Sequence, residues 1–348
     1  MQHAPEKICI VGSGNWGSAI ARIVGVNAHF HQEFNPTVNM WVFEEQIDGK
    51  NLTEIINETH VNVKYLPDAK LPENVVAVPD LATAAKDATM LIFVLPHQFL
   101  NRICPQIVAN CSPNAHIISL IKGIEFENNA PKLISSMISQ AMGGKPCSVL
   151  MGANVANEVA KDEFCEATVG CLDVHGANLW HKCFDRPTFK INVVSDVPGV
   201  ELCGALKNVV ALGAGFCDGL KLGGNTKAAI VRIGLMEMKK FCALYFPSVE
   251  SDTFFESCGV ADLITTCYGG RNRKCAEAFV TGEHGKSWDE IEKALLNGQK
   301  LQGTITAKDV MICLKAGQDK SDDFPLFTTI HNIAFEGMKV EQIVHCHA

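Results

Sequence analysis

Paired cysteines are missing from this sequence. No two of its 15 cysteines stand at C-x-x-C spacing, which removes the zinc-ribbon and thioredoxin-like readings. The count is odd, and Cys9, Cys147, Cys203 and Cys242 sit inside apolar runs, where a thiol acts as a small core side chain. A reduced, cytosolic compartment is expected. An excess of basic residues is missing too. Acids outnumber bases 38 to 30, for a net charge of −8. Chains that neutralise nucleic-acid phosphates are usually basic, so no nucleic-acid partner is expected, and no polybasic membrane contact. The longest uninterrupted apolar run, residues 209–217, has nine residues, too few to span a bilayer. Residues 1–7 are polar and contain Pro5, so no signal peptide is expected there. The final His345-Cys346-His347-Ala348 matches no peroxisomal or prenylation signal and reads as a frayed end, not a metal tail.

What is present is globular. The chain has 348 residues, 47% of them hydrophobic and 20% charged, which excludes a disordered or collagen-like protein. At this size roughly three quarters of the unfolded surface is buried, enough for one large core or two ordinary domains. The first half alternates short apolar runs with polar, helix-like stretches. The runs are residues 8–11, 38–43, 75–78, 90–95, 117–121 and 148–151. Their continuous apolar character predicts strands covered on both faces. Segments such as 17–26 and 82–88 read as crossover helices, the rhythm of a doubly wound parallel sheet. Residues 189–194 read as the last strand. From Val200 onward the pattern is helical, with Pro198 placed for a helix start. The expected division is therefore an α/β domain over residues 1–195 and an all-α domain over 196–348.

The strongest local signal is Gly12-Ser13-Gly14-Asn15-Trp16-Gly17, a G-x-G-x-x-G directly after an apolar strand and before a helical run. A tight turn needs the first glycine, close approach of a pyrophosphate needs the second, and helix–strand packing needs the third. The helix start then offers N–H groups and a positive dipole end to the anion. The second run ends in Glu44-Glu45 with no arginine nearby. A carboxylate there accepts from an adenosine ribose and repels a 2′-phosphate, favouring NAD over NADP. Phe43 is expected near the adenine. Small polar clusters follow later strands, at residues 95–99, 122–123 and 152–156. In an open α/β sheet such clusters belong to the ligand crevice.

A second signal is Lys207-Asn208 in the middle of a segment, residues 200–212, that is apolar nearly all round. Such a helix is usually buried. The residues three and four away from Lys207 (Cys203, Gly204, Val210, Ala211) include no acid, so no local ion pair is available. A buried ammonium needs a distant carboxylate or an anionic ligand, or it loses its proton. A lysine so depressed is a competent proton donor and acceptor near neutrality; the competing reading is a snorkelling side chain. Asp262 and Thr266, four apart, share a helix face, and Asp262 could charge-balance Lys207. Gly269-Gly270 then break the helix, and Arg271-Asn272 follow as candidate anion ligands. The basic run 271–274 is too short, and too poor in aromatic neighbours, to read as a nucleic-acid site. Residues 297–303 form a second polar, glycine-bounded loop.

These segments together resemble the cytosolic NAD-dependent glycerol-3-phosphate dehydrogenases of animals, from Lys7 to about His345. The most specific stretches are 11–18, 40–45, 96–99, 148–154, 201–218, 256–273 and 296–303. The resemblance implies a Rossmann-like N-terminal domain, a helical C-terminal domain for substrate binding and dimerisation, a cytoplasmic homodimer, and NAD as cofactor. It implies interconversion of sn-glycerol 3-phosphate and dihydroxyacetone phosphate, a reaction linking glycolysis, glycerolipid synthesis and cytosolic NADH balance. Carried over residue by residue, Lys207 is the general acid/base, with Lys122, Asn208, Asp262 and Thr266 at the reacting centre. Lys122, Asn154, Arg271 and Asn272 are implied substrate ligands. Gly12, Ser13, Gly14, Asn15, Trp16, Gly17, Phe43, Phe99, Ala156, Arg271, Lys300 and Gln302 are implied NAD contacts. No metal is implied. Two other readings stand beside it: another two-domain β-hydroxyacid dehydrogenase of the 6-phosphogluconate type, and a non-catalytic NAD(H)-sensing protein.

Overall fold

The computed structural model describes residues 4–128, 130–285, 287–296 and 298–346. Asn297 of the second polar loop, and His347 and Ala348 of the terminal run, lie outside the described residues. The chain divides into two compact units. One comprises residues 1–121, 134–150 and 154–197; the other comprises 122–133, 151–153 and 198–348. The main change of unit falls between Val197 and Pro198, and two short excursions, just after two sheet strands, join the second unit. Composition carries no trace of such excursions, because they are short, 12 and three residues, and follow the strands without a linker.

The first unit is built on an eight-stranded sheet: β1 Glu6–Val11, β2 Phe34–Trp41, β3 Val75–Val78, β4 Met90–Phe93, β5 His116–Ser119, β6 Cys147–Met151, β7 Cys165–Gly170 and β8 Phe189–Val194. Their spatial order is β8-β7-β6-β5-β4-β1-β2-β3. The pairings β3–β2, β2–β1, β1–β4, β4–β5, β5–β6 and β7–β8 are parallel. The order reverses at β1, where a doubly wound sheet binds its ligand. Alternate residues of β1 serve two cores. Ile8 and Ile10 pack with helices α1 (Asn15–Phe30) and α4 (Val174–Phe184). Cys9 and Val11 pack with α2 (Leu100–Val108) and α3 (Ile134–Ala141). Both faces are covered, which explains the continuous apolar runs.

Two expectations need correction. The strand β7, Cys-Glu-Ala-Thr-Val-Gly, escaped notice because its residues are small and mixed in polarity. The segment after β3 forms only a four-residue helix, Leu81–Ala84, capped by Asp80.

The second unit is helical: α5 Val197–Gly219, α6 Gly224–Tyr245, α7 Asp262–Gly269, α8 Arg271–Thr281, α9 Gln302–Lys315 and α10 Pro325–Phe335, with a further helix at Trp288–Leu296. Its N-terminal excursion forms a small hairpin, Glu125–Glu127 with Ala130–Lys132. The 23-residue α5 is long and apolar enough to cross a membrane by length and composition, which a count of uninterrupted apolar residues did not show, but its apolar window is wholly buried inside the protein. Burial in a protein core accounts for its composition. Its glycines admit neighbours closely. A Cβ at Gly204 would lie 2.8 Å from the Met151 sulfur, and one at Gly213 would lie 3.0 Å from Ile330.

Candidate active site

The turn between β1 and α1 holds the glycine motif. Gly12 has φ +123°, and a Cβ there would meet the Val94 carbonyl oxygen at 2.5 Å. That conformation and that space admit only glycine. A Cβ at Gly17 would meet the Gly12 oxygen at 2.5 Å, so Gly17 lets the helix seat against the turn. Gly14 is different: nothing lies within 4 Å of its Cβ position. No side chain caps α1 at Gly14, so the first-turn N–H groups face outward with the dipole's positive end. This cradle fits a pyrophosphate. The turn is pinned from below by Asn62, which donates to the Ser13 carbonyl at 2.8 Å and to the Ser18 hydroxyl at 2.9 Å. Asn15 donates to Tyr65 O and Asn157 Oδ1.

Around the cradle, Phe43 is 63% exposed just past β2, and Phe99 is 44% exposed on a short turn. Ala156 opens the helix Ala156–Val159, and Asn154 is buried. The two carboxylates after β2 both have partners within the chain. Glu44 accepts from the Thr53 N–H at 3.1 Å and from its hydroxyl. Glu45 pairs with Lys64 and accepts from the Tyr65 hydroxyl at 2.8 Å, which holds its carboxyl below the ordinary range. The carboxylates expected to face a ribose are therefore already engaged, Glu44 by the helix Leu52–Thr59 and Glu45 by the turn between the short strands Val61–Asn62 and Leu66–Lys70, neither of which sequence reading foresaw.

In the second unit the structure gathers Lys207, Asp262, Lys122, Thr266, Asn208 and Asn272. Lys207 lies in the middle of α5, 4% exposed. Its ammonium contacts Asp262 Oδ1. Asp262, 2% exposed, opens α7 after a single π-helical turn, residues 257–261. Gly259 permits that turn, since a Cβ there would sit 2.3 Å from the Phe254 oxygen. The other carboxylate oxygen faces Lys122 Nζ at 3.3 Å, and Lys122 also donates to the Gly152 carbonyl at 3.0 Å. The Thr266 hydroxyl, one turn along α7, reaches Asp262 Oδ1 at 3.5 Å. Burial pushes the Lys207 ammonium down to about 8; Asp262 pulls it back up, and the Lys122 charge adds to the lowering. Asn272 donates to Asn208 Oδ1 at 2.8 Å and accepts from the Gly303 N–H at 2.8 Å. The approach needs glycine at 303: a Cβ would lie 2.6 Å from the Asn208 backbone carbonyl oxygen and 2.7 Å from Asn272 Oδ1.

Arg271 opens α8 beside Asn272. It is exposed, with one N–H toward Gln299 at 3.4 Å. Lys300 is tied to Asp289 at 2.6 Å and Glu292 at 2.9 Å, and both carboxylates raise its pKa. Gln302 begins α9. Sequence reasoning placed Gly152 and Gly303 in candidate site loops but missed their contacts, the Gly152 carbonyl with Lys122 and the Gly303 N–H with Asn272, because no side chain marks either one.

A glycine turn built for a pyrophosphate and a buried lysine poised near neutrality are the two requirements of a nucleotide-dependent oxidoreductase that moves a proton along with its electrons. Comparison with known proteins narrows that class. Residues 7–177 match the NAD-dependent glycerol-3-phosphate dehydrogenase N-terminus family, and residues 196–345 match the corresponding C-terminus family. The chain is 58% identical over 344 residues to the cytoplasmic glycerol-3-phosphate dehydrogenase [NAD(+)] of Homo sapiens, covering 99% of this chain and 97% of the human one. Against the enzyme of the same name from Drosophila melanogaster the identity is 57% over 341 residues, covering 98% and 93%. Among solved structures, the glycerol-3-phosphate dehydrogenase of Plasmodium falciparum is similar, with a TM-score of 0.93 at 43% identity over 99% of this chain and 95% of that one. The Coxiella burnetii enzyme keeps a TM-score of 0.82 at 25% identity over 98% of both chains. The chain belongs to the NAD-dependent glycerol-3-phosphate dehydrogenase family.

Proposed function

We propose that this protein interconverts sn-glycerol 3-phosphate and dihydroxyacetone phosphate, with the first unit holding NAD and the second holding the substrate. The observation that carries the reading is the buried Lys207–Asp262–Lys122 cluster, placed in a chain of this family. Gly12 to Gly17 would hold a nicotinamide nucleotide, with Phe43, Phe99, Ala156, Arg271, Lys300 and Gln302 as further contacts, and that group would provide the hydride chemistry at C2. The chain's own residues do the rest.

In the reducing direction the Lys207 ammonium donates a proton to the C2 oxygen as negative charge develops there. In the oxidising direction the neutral amine takes that proton back. A pKa of about 8 suits both, since a donor and acceptor works best near the working pH. Asp262 orients the amine, and Thr266 steadies Asp262. Lys122 and the Asn208 amide stabilise the developing oxyanion, a contribution of about 3 kcal/mol per donor in comparable sites. Arg271 presents paired N–H donors to the phosphate. Asn272 presents the amide hydrogen that Asn208 does not use, and Asn154 is the further substrate ligand. The protein acts as a cytoplasmic homodimer on a small-molecule substrate, without nucleic acid or membrane. Its acidic charge and the burial of α5 support this, as does the cytoplasmic naming of the relatives.

The test is loss of NADH absorbance on adding dihydroxyacetone phosphate, repeated with NADPH, beside a gain of NADH absorbance assayed with 6-phosphogluconate plus NAD. Turnover only with the triose phosphate and NADH is expected; cofactor binding without turnover would leave the sensing protein. Light scattering should give about twice the 37.8 kDa chain mass.

A further inference from the structure

The helix that carries Lys207 and the helix that opens with Arg271 meet at two places. One is the Asn208–Asn272 hydrogen bond. The other lies further along α5. A Cβ at Gly215 would stand 2.3 Å from the Arg273 carbonyl oxygen and 2.6 Å from Ala276 Cβ, and one at Gly219 would stand 2.5 Å from Val280 Cβ. Gly215 and Gly219, four residues apart, share one face, and that bare face lets α8 lie directly on α5. Glycine inside a helix is destabilising relative to alanine, so Gly215 within α5, joined by Gly219 at its last position, marks a contact that must be close.

Beside that contact sits a charge cluster. The Asp218 carboxylate takes Lys227 Nζ at 2.7 and 2.9 Å and an Arg273 N–H at 2.8 Å. Arg273 also pairs with Glu277 at 2.7 Å. Lys227 stands 4.4 Å above the Tyr268 ring. The Lys227 and Arg273 side chains are only 9% and 14% exposed. The cluster joins α5 (Asp218), α6 (Lys227), α7 (Tyr268) and α8 (Arg273, Glu277). Among the described residues, none of its hydrogen bonds reaches Lys207, Asp262 or Lys122.

The geometry points to a positioning role: Asp218, Lys227 and Arg273, with the Gly215–Gly219 face, fix the rotation and height of α8 on α5, and so place Arg271 and Asn272 for the substrate phosphate. Arg271, Asn272 and Arg273 are the first three residues of one helix. Any turn or slide that Arg273 allows moves the other two by the same amount. Phosphate recognition by a guanidinium fork is directional, and a misplacement of about 1 Å at a positioned group can cost a factor of about 100. This inference rests on the reading that Arg271 and Asn272 hold the phosphate.

The test compares kcat/KM for dihydroxyacetone phosphate with that for glycolaldehyde, a carbonyl substrate with no phosphate, in the full-length enzyme and in Asp218→Asn, Arg273→Lys, Asp218→Asn/Lys227→Met and Arg271→Ala. Asp218→Asn and Arg273→Lys should lower kcat/KM for the triose phosphate at least about tenfold while changing that for glycolaldehyde less than about threefold. Adding Lys227→Met to Asp218→Asn removes the stranded ammonium, so melting temperature should recover while the triose-phosphate defect persists. Equal losses on both substrates, or no loss on either, would overturn the inference. Where Asp218→Asn does not fold, Arg273→Lys, which keeps the cation, decides. Arg271→Ala separates the two readings. If it spares the triose phosphate, the phosphate assignment fails; if it impairs that substrate while the Asp218 and Arg273 variants do not, only the positioning role fails.

Discussion

Replacing Asp262 by asparagine tests the electrostatics of the site most fully. Asp262 is buried, contacts the Lys207 ammonium and faces Lys122 at 3.3 Å. The amide keeps the shape and removes the charge that both ammonium groups share. Unit charges about 4 Å apart interact by about 4 kcal/mol at an effective permittivity of about 20, which bounds the support that Lys207 loses. The sign is fixed by the causes. Burial and Lys122 lower the Lys207 pKa and Asp262 raises it, for a net value of about 8, so loss of the carboxylate moves it further down. The reducing reaction needs the ammonium, and its fall on the alkaline side should shift to lower pH. Above the pKa the ammonium fraction drops tenfold for each further pH unit, so kcat for dihydroxyacetone phosphate at pH 8.5 should fall at least about tenfold. Breaking one side of a buried pair also costs about 3–5 kcal/mol, roughly 6–20 °C of melting temperature in a domain of this size. Steady-state pH profiles at saturating NADH and calorimetry read both effects. An alkaline limb that stays in place, or moves to higher pH, would refute the claim that Asp262 holds the proton on Lys207.

Two glycine substitutions should part company. Gly14→Ala meets open space, so melting temperature should hold while the Kd for NADH rises about tenfold or more. Gly17→Ala drives a Cβ into the Gly12 oxygen and should destabilise by about 1–3 kcal/mol. Elsewhere in the second unit, the buried Glu237 carboxyl accepts the Leu326 and Phe327 N–H groups at 2.7 and 2.8 Å, yet burial pushes it up to about 7. A group raised in the folded state costs stability as pH climbs from its unfolded pKa to its folded one. Stability should therefore decline between about pH 4.5 and 7, and Glu237→Gln should flatten that decline in a melting-temperature series.

The sheet was legible where branched and aromatic side chains dominate: Val75–Val78 and Phe189–Val194, its two edge strands, are found at their expected bounds. It was illegible at β7, whose alanine, threonine and glycine carry little hydrophobic signal. The helix break at Gly269-Gly270 was readable because glycine is the strongest local punctuation. That Lys207 needs a partner beyond its own helix was legible, since α5 offers no acid at the right spacing; Asp262, 55 positions away, was a candidate, placed at the reacting centre by the family resemblance. The charged contacts of Glu45 with Lys64 and of Asp218 with Arg273 were not legible, because exposed-looking charges give no hint of their partner. The Gly215–Gly219 spacing was there to be read as a close helix contact, though it says nothing of what lies against it.

The most direct measurement is the turnover of Lys207→Ala. With dihydroxyacetone phosphate and saturating NADH, kcat should fall by about 100-fold or more, the scale of a lost general acid, while NADH titrated by fluorescence binds as in the parent. Turnover near that of the parent enzyme would contradict the assignment of proton transfer to this buried amine.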